Sequence, residues 1–522
     1  KITNTVLRHT HTHIPFFFSA TPLSPTQAIN HSPWNNITLA DFVMPWFLFM
    51  VGTSAAFSLR KFQADRQARV AGSKYVAVRA LKLYLLGVLL QGGGWFRSYG
   101  YGFNLSTIRW CGILNRIGFA YLVVGLMEIW FPVNGGEAND QRARCCRQKH
   151  HGCYFFRVHA WKWIFASFFI VLHVVVSFGM YVPSWESEWG FNTTLGDSVK
   201  LTTPFTIQCN LRGWETMKNP ACSATGYFDR ALFGQDHLGV WMSQRLPECS
   251  SCPPGEPDGF YRPTCHKITP GPNSTAPDNR WCFAHIYDPE GALATVPTVM
   301  SAYLGTHFGR VVKSLGAYET PRRVLLHWGV ASAVLIGAGL AVHAALWEMN
   351  KQLWTTSYVF FMAGTCGGAL TIVYALVDAP ARRDAIARNR ALAANGPGGG
   401  KLMPGGPPAS SPSGKTWWWF AACVFYPLQT FGMNSILAFF WHGTAESLLD
   451  VLYVNPPVAG QPNDDVPRDR SYLFGEKHGW FNEEVLGGLS HQRNQLVYVM
   501  LKISCFMVVL WYCARVGYFW KV

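Results

Sequence analysis

Long apolar runs separated by short polar loops dominate this chain. Each run is about 20 residues long, the length that a helix needs to cross the hydrocarbon core of a bilayer. We predict nine membrane spans, at residues 37–59, 78–95, 107–131, 161–182, 291–312, 324–347, 353–378, 416–446 and 494–518. The predicted fold class is therefore all-α, a polytopic transmembrane helix bundle with the lipid bilayer as its surroundings.

The predicted spans divide the chain into six segments. Between the spans lie two large loops, at 183–290 and 447–493, and a stretch rich in Gly and Pro that we predict to be a flexible linker. The segments are 1–36, 37–182 with four spans, the loop region 183–290, 291–378 with three spans, the linker 379–415, and 416–522 with the C-terminal spans.

Positive charge lies in particular loops between the spans. Lys and Arg cluster in loops 60–79, 132–160, 310–323 and 379–415, which all fall on one side of the predicted bundle. That side is predicted to be cytosolic, so the segment 1–36 and the two large loops face the lumen or the exterior. The formal net charge of +15 therefore indicates orientation, and we expect no nucleic-acid partner. Charged residues make up only 14% of the chain, as expected of a membrane protein.

Cysteines agree with this orientation. Six of the 14 lie in the predicted lumenal loop, at Cys209, Cys222, Cys249, Cys252, Cys265 and Cys282. An even number in such a loop predicts disulfides, although the sequence leaves their pairing open. Sequons at Asn192 and Asn273 in the same loop predict a glycoprotein. The His and Cys clusters at 9–13 and 145–153 lack standard zinc spacing, so we expect no metal.

A histidine and an acid flank the start of the first span. His31 precedes the span, close to Asn35 and Asn36, and Asp41 lies within its beginning. Histidine transfers protons near neutral pH and can accept an acyl group on nitrogen. A nearby carboxylate fixes its tautomer, and an acid inside a membrane is usually functional or paired. We predict that His31 and Asp41 are catalytic; the alternative is an interfacial histidine beside a helix cap.

Three polar residues inside predicted spans are further candidates. Arg116 needs a partner within its apolar run, either Asp41 or a phosphate or carboxylate that a guanidinium binds in a forked geometry. Asn115 precedes it, and Asn434 lies in the eighth span. A buried Asn must be satisfied by a ligand or by another helix, and polar residues often join helices in membranes.

Two acidic stretches lie on the predicted lumenal side. Asp229 and Arg230 form either a site for a polar acceptor such as a sugar or an ordinary ion pair. Asp288 and Glu290 precede the fifth span, where they either act at a lumenal site or cap the helix.

In order along the chain, these stretches resemble the heparan-α-glucosaminide N-acetyltransferase family of transmembrane acetyltransferases. The sequences INHSPW and NKQLWTTSYVFF are typical of plant-type members of this family. The matching pieces are INHSPWNNITLADFVMPWFLFMVG (29–52), GILNRIGFAYLVVG (112–125), the stretch from PACSATGYFDRALFG to HLG (220–239), YDPEGALATVPTVMSAYLG (287–305), NKQLWTTSYVFFMAG (350–364), FGMNSILAFF (431–440) and the terminal FWKV (519–522).

The resemblance implies a multi-helix bundle, often a homodimer. It implies an enzyme that takes acetyl groups from cytosolic acetyl-CoA and delivers them to a glucosamine-type amine on the lumenal side. An endomembrane location, lysosomal or vacuolar, follows, with the plasma membrane as the alternative. The active-site histidine of the family maps onto His31, as acetyl carrier or as general base. The candidates for binding acetyl-CoA are Asn115, Arg116 and Asn434, and those for the amino-sugar acceptor are Asp229, Arg230, Asp288 and Glu290.

The chain departs from the family at its start. Members begin with a helix of the type S-L-D-x-x-R-G, and this chain has KITNTVLRHTHTHIPFFFSATPLSPTQA instead. We expect that helix to be absent and activity to depend on it. Two other function classes remain open: a transporter or channel, whose pathway Asp41 and Arg116 would line, and a catalytically inactive paralogue.

Overall fold

The computed structural model describes residues 31–32, 34–89, 105–131, 159–192, 197–239, 284–316, 321–379, 508–509, 511–513 and 515–516. The described residues divide between two compact units, and the larger lies within Lys1–Val88 and Ser106–Ile372. The predicted span 416–446 with Asn434, the loop 447–493, nearly all of the linker 379–415 and most of the span 494–518 lie outside the described residues.

Ten α-helices make up most of the described part of the chain. They are α1 (Val43–Ser58), α2 (Arg66–Gly87), α3 (Ile113–Trp130), α4 (Ala160–Gly179), α5 (Trp214–Lys218), α6 (Ala224–Phe233), α7 (Ala292–Thr295), α8 (Thr298–Gly316), α9 (Pro321–Ala345) and α10 (Thr356–Leu376). A 3-10 turn, Leu39–Phe42, leads into α1, and another, Gln235–His237, follows α6.

Five of the helical segments in the described chain are long and apolar enough to cross a membrane. They are Leu39–Ser58, Ile113–Trp130, Ala160–Gly179, Pro321–Ala345 and Thr356–Leu376. Each overlaps a predicted span, namely 37–59, 107–131, 161–182, 324–347 and 353–378. The prediction of an integral membrane protein is confirmed at this level, whereas the predicted number of nine spans is not.

Two predicted spans differ from the helices at their positions. The helix α2 begins inside the predicted loop 60–79, because the side chain of Asp65 accepts the N–H of Ala68 at 2.7 Å and caps the helix. The predicted span 291–312 is interrupted: α7 ends at Thr295 and α8 begins at Thr298. Pro297 lies between them and has no N–H to continue the helical hydrogen bonds.

The all-α prediction was incomplete, because the region after α4 contains strands. β1 (Tyr181–Val182) pairs with β4 (Leu211–Arg212), and β2 (Trp185–Asn192) pairs with β3 (Asp197–Ile207), each as an antiparallel two-stranded sheet. The register of the longer hairpin aligns Trp185 with Ile207. The protein is therefore mostly helical, with a small β subdomain in the predicted lumenal loop.

A disulfide and a hydrophobic cluster stabilise this β subdomain. Cys209, just after β3, is bonded to Cys222, just before α6. The disulfide prediction is confirmed for this pair, while the other four loop cysteines lie outside the described residues. The cluster also includes Trp34, which is 6% exposed and whose ring nitrogen donates to the carbonyl of Met217 at 3.1 Å. Trp34 thus fixes the short segment that carries His31 against the β subdomain.

Close contact between α1 and α8 fixes the start of the first span in the bundle. A side chain at Gly52 would place its Cβ 1.8 Å from the carbonyl oxygen of Ala302, and one at Gly305 would be 1.8 Å from that of Phe49. The hydroxyl of Thr53 donates across the interface to the carbonyl of Gly305 at 3.0 Å. Small residues and hydroxyl groups of this kind let membrane helices pack at backbone contact.

Candidate active site

His31 and Asp41, the two predicted catalytic residues, meet at the entrance to the first span, a contact that their spacing permits but does not require. Asp41 lies in the 3-10 turn before α1 and has no exposed surface. One carboxylate oxygen, Oδ2, accepts three bonds, from the N–H of Ser32 at 3.1 Å and from the N–H and the hydroxyl of Thr38 at 3.0 Å each. The other oxygen, Oδ1, is 2.7 Å from Nδ1 of His31. The side chain of His31 is 33% exposed, so its ring is accessible to a substrate.

Lys351 completes this cluster, and sequence reasoning missed it. Its Nζ is 3.0 Å from Nδ1 of His31 and 3.5 Å from Oδ1 of Asp41. Burial lowers the pKa of Lys351 below its ordinary value, and the charge of Asp41 opposes that shift. The signal in the sequence was a lysine in the polar break between two apolar runs, in the NKQLW stretch that carries the resemblance.

A rigid turn positions Lys351. The side-chain oxygen of Asn350 accepts the N–H of Leu353 at 2.9 Å, and its amide donates to the side-chain oxygen of Asn35 at 3.0 Å. Trp354 is fully buried with a φ of 51°, and its ring nitrogen donates to the hydroxyl of Ser301 at 3.2 Å. A bulky residue rarely adopts a positive φ unless its surroundings enforce it, and such strain concentrates at functional sites.

A second ionic cluster brings together predicted acids from the start of the fifth apolar run. Asp288 binds the guanidinium of Arg109 through both carboxylate oxygens, at 2.6 and 2.5 Å, and Glu290 binds the same guanidinium. Burial alone would raise the pKa of Glu290, but Arg109 and Arg116 outweigh burial and hold that pKa below its ordinary value. Arg109 was not among the predicted residues, because it lies 179 residues from Asp288 in sequence.

Arg116 does not pair with Asp41, which was one of its two predicted partners. Its guanidinium donates to the hydroxyl of Thr295 at 3.2 Å and to the carbonyl of Pro289 at 2.9 Å. It also lies over the ring of Trp354, 4.6 Å from the ring centre. Arg116 therefore connects the second cluster with the turn that holds Lys351.

Asn115 lies beside Arg116 but contacts a different region. Its amide donates to the carbonyl of Trp110 at 2.9 Å, and the residue is 8% exposed. A Cβ on Gly87 would be 1.8 Å from the side-chain oxygen of Asn115, so this residue sits at the contact between α2 and α3. Its side-chain oxygen has no hydrogen-bond partner among the described residues, so Asn115 packs at this helix contact without a hydrogen bond across it.

Asp229 and Arg230 are adjacent in sequence, but their side chains make different contacts. The Asp229 carboxylate accepts the N–H of Ala292 at 2.9 Å, at the start of α7. Asp288 therefore does not cap this helix, which was one of its predicted roles. Complete burial, with Asp288 nearby, raises the pKa of Asp229 well above its ordinary value. Arg230 instead donates to the carbonyl of Ile286 and stacks on Trp185, 3.8 Å from the ring centre.

Two curated proteins are similar to this chain. They are the heparan-α-glucosaminide N-acetyltransferases of Mus musculus and Homo sapiens, each 24% identical over 362 residues, or 67% of this chain. The family resemblance is confirmed. The match covers 45% of the mouse protein and 44% of the human one, so the chain spans less than half the length of these relatives. No protein-family model matches the chain.

The arrangement around His31 makes one ring nitrogen reactive. When Nδ1 carries the proton and donates it to Asp41, the other nitrogen, Nε2, has a free lone pair. Such a nitrogen can abstract a proton from an amine or attack an acyl carbon. The similar proteins are named as N-acetyltransferases, a reaction class in which either step has a use.

Replacement by asparagine should affect the stability of the protein differently at the two buried aspartates, Asp229 and Asp288. Asp229→Asn is expected to change the free energy of unfolding by about 1 kcal/mol or less, because an amide oxygen can keep the bond to Ala292 and burial, which raises the pKa of Asp229, disfavours its charged form. Asp288→Asn is expected to cost about 3 kcal/mol, since it leaves the largely buried Arg109 partly unpaired. Thermal unfolding of the purified variants in detergent measures both.

The pH dependence provides a control for that comparison. The folded protein retains a proton on Asp229 that the unfolded chain releases above a pH of about 4. The contribution of Asp229 to the free energy of unfolding is therefore present at low pH. It is lost as the pH rises toward the raised pKa of Asp229 in the folded state. Asp229→Asn should remove this decrease in the free energy of unfolding with rising pH. A larger loss in Asp229→Asn than in Asp288→Asn would contradict the assignment.

Proposed function

We propose that this protein is a transmembrane acetyltransferase that moves an acetyl group from acetyl-CoA to the amine of a glucosamine-type sugar. The observation that carries the proposal is the accessible His31 ring, held by a fully buried Asp41 through a 2.7 Å contact at the entrance to a membrane span. The names of the two similar proteins supply the donor group and the class of acceptor.

Two routes use the same nitrogen of His31. In the first, Nε2 attacks the thioester carbonyl, the carbon–sulfur bond breaks, and CoA leaves as a thiolate that takes up the proton which the acetylated ring releases from Nδ1. The amine then attacks the acetyl carbon, the bond from that carbon to Nε2 breaks, and the proton of the amine returns to the ring. In the second, Nε2 removes a proton from the amine while that amine attacks the thioester carbonyl, the carbon–sulfur bond breaks, and the proton passes from His31 to the CoA sulfur. Asp41 stabilises the positive charge that the ring gains in either route.

The direction of transfer follows from the predicted topology. With the basic loops in the cytosol, His31 faces the lumen, and the acetyl group crosses from cytosolic acetyl-CoA to a lumenal acceptor. The predicted endomembrane location is part of this proposal. Asp288 and Glu290 are held by Arg109, so we propose that they shape the acceptor side through this network.

Two of the residues proposed for the donor side, Arg116 and Asn115, are buried. Arg116 already donates to Thr295 and Pro289, and it supports the Trp354 ring next to the Lys351 turn. We therefore propose that Arg116 positions the site, together with Asn115 at the helix contact. Asn434 is the remaining candidate for contact with acetyl-CoA.

A transfer assay with purified protein in proteoliposomes tests the proposal. Radiolabelled acetyl-CoA is supplied with glucosamine, and N-acetylglucosamine, whose amine is blocked, is the matched control. We expect label on glucosamine only, with one CoA thiol released for each acetyl group transferred. Uptake of glucosamine without acetylation would identify a transporter instead. Binding of acetyl-CoA without turnover would identify an inactive paralogue.

A further inference from the structure

Trp34 follows His31 by three residues and is buried, although it belongs to no helix or strand. Its indole ring packs in the hydrophobic cluster of the β subdomain, where its centre is 5.2 Å from that of the Tyr287 ring. Leu353, two residues after Lys351, belongs to the same cluster. The cluster therefore joins the segment that carries His31, the turn that carries Lys351 and the β subdomain.

The hydrogen bond of Trp34 reaches a part of the β subdomain that a disulfide holds in place. Its indole nitrogen donates to the carbonyl of Met217 at 3.1 Å. Met217 lies in α5, a helix of five residues, which is too short to be stable on its own. The loop 209–222, which contains α5, is closed by the Cys209–Cys222 disulfide, and β4 within this loop pairs with β1. Because a closed loop has few conformations, the disulfide restricts the position of the Met217 carbonyl.

The segment that carries His31 also has polar contacts with the helix bundle. The N–H of Ser32 donates to Oδ2 of Asp41 at 3.1 Å, and the side-chain oxygen of Asn35 accepts from Asn350 at 3.0 Å. Polar side chains of this kind can follow a small displacement of the segment. The indole ring of Trp34 cannot, because its displacement would open a cavity in a packed cluster.

The contacts of His31 depend on small distances. Its Nδ1 is 2.7 Å from Oδ1 of Asp41 and 3.0 Å from Nζ of Lys351. A displacement of about 1 Å would take both contacts out of hydrogen-bond range, and a misplacement of that size can lower a reaction rate by about 10²-fold. We propose that Trp34 is a positioning residue for His31 and that the disulfide-closed loop 209–222 is its anchor. The proposal rests on the proposed function in one respect, namely that the reaction takes place at His31.

Trp34→Phe tests the proposal, because phenylalanine keeps an aromatic ring in the cluster and removes the donor to Met217. We expect kcat for acetyl transfer in proteoliposomes to fall about tenfold or more, with KM for acetyl-CoA and for glucosamine within about twofold of the wild type. Trp214→Phe is the matched control, since Trp214 lies in the same loop but is 46% exposed. It should leave both constants unchanged. Thermal unfolding shows whether each variant is folded at the assay temperature.

A spectroscopic measurement of His31 does not depend on acetyl transfer. The full chain with ¹⁵N-labelled histidine is studied by NMR in lipid nanodiscs without acetyl-CoA, at a pH of about 8, above the ordinary pKa of histidine. His31→Ala assigns the signal. In Trp34→Phe we expect the Nδ1 signal of His31 to move toward that of free histidine, because Nδ1 loses its fixed contact with Asp41. Trp214→Phe should keep the wild-type signal, and so should any variant that is only less stable.

Replacing both cysteines by serine, Cys209→Ser with Cys222→Ser, tests the anchor while Trp34 is unchanged. We expect the folded double variant to show the same movement of the His31 signal, and it decides the matter if Trp34→Phe does not fold. A wild-type His31 signal in folded Trp34→Phe would overturn the proposal, whatever the rate of transfer. A wild-type signal in the double variant would overturn the role of the loop. A displaced signal together with no transfer by the wild type would count against the proposed function alone.

Discussion

Replacing His31 by alanine is expected to lower acetyl transfer to glucosamine by about 10³-fold or more, because the variant lacks the group that carries acetyl or removes the proton. Asp41→Asn is expected to cost about 10²–10⁴-fold, since an amide can hold the ring in the wrong tautomer. Initial rates in proteoliposomes measure both. Thermal unfolding provides the control for folding. Transfer at the wild-type rate in His31→Ala would remove this residue from the mechanism.

The same variant separates the two chemical routes. When radiolabelled acetyl-CoA is given without an acceptor, we expect label on the wild-type protein and none on His31→Ala. The reason is the position of Lys351: with Nε2 acetylated and Nδ1 without a proton, the ammonium 3.0 Å away can donate to Nδ1 and stabilise the neutral acetylated ring. Peptide mapping of the labelled protein should locate the acetyl group on His31. An unlabelled wild-type protein that still transfers acetyl would establish the general-base route.

The parts of this site that sequence could predict are those formed locally. His31 and Asp41 are only ten residues apart, and the turn before α1 is enough to bring them together. Lys351 is 320 residues from His31 and Arg109 is 179 from Asp288. Such pairs depend on how the helices pack, and one sequence does not show which polar residue of one helix faces another.

Five of the nine predicted spans coincide with helices that can cross a membrane, because length and hydropathy alone define such helices. The apolar runs did not reveal the hairpin of β2 and β3, although Trp185, Ser187, Trp189 and Phe191 alternate with acids and glycine. Alternation with period two is the ordinary signal of a strand. A prediction that starts from apolar runs treats the region between two spans as a loop, so this signal carries no weight in it. The strand β2 forms one wall of a cleft that Arg230 also lines.

Replacing Lys351 by methionine is expected to remove an alkaline limb from the pH–rate profile of transfer. In the wild type, Lys351 lies 3.5 Å from Oδ1 of Asp41 and 3.0 Å from Nδ1 of His31, so its charge acts directly on both residues. Burial lowers the pKa of Lys351, so the wild type loses this charge at a lower pH than an ordinary lysine does. Methionine has no proton to lose, so the wild type should show a change of rate on the alkaline side that Lys351→Met lacks.

Several charged groups near Lys351 could modify this result, and they set the controls. Glu290 and Arg116 act on Lys351 with opposite signs, and both remain in place in the variant. Lys351→Arg keeps its positive charge at every pH of the assay, so it should also lack the alkaline limb, even if its shape lowers the maximum rate. Loss of packing would reduce the rate of Lys351→Met equally at every pH. An alkaline limb in the wild type that is absent from both variants is the result that assigns Lys351 an electrostatic role at His31.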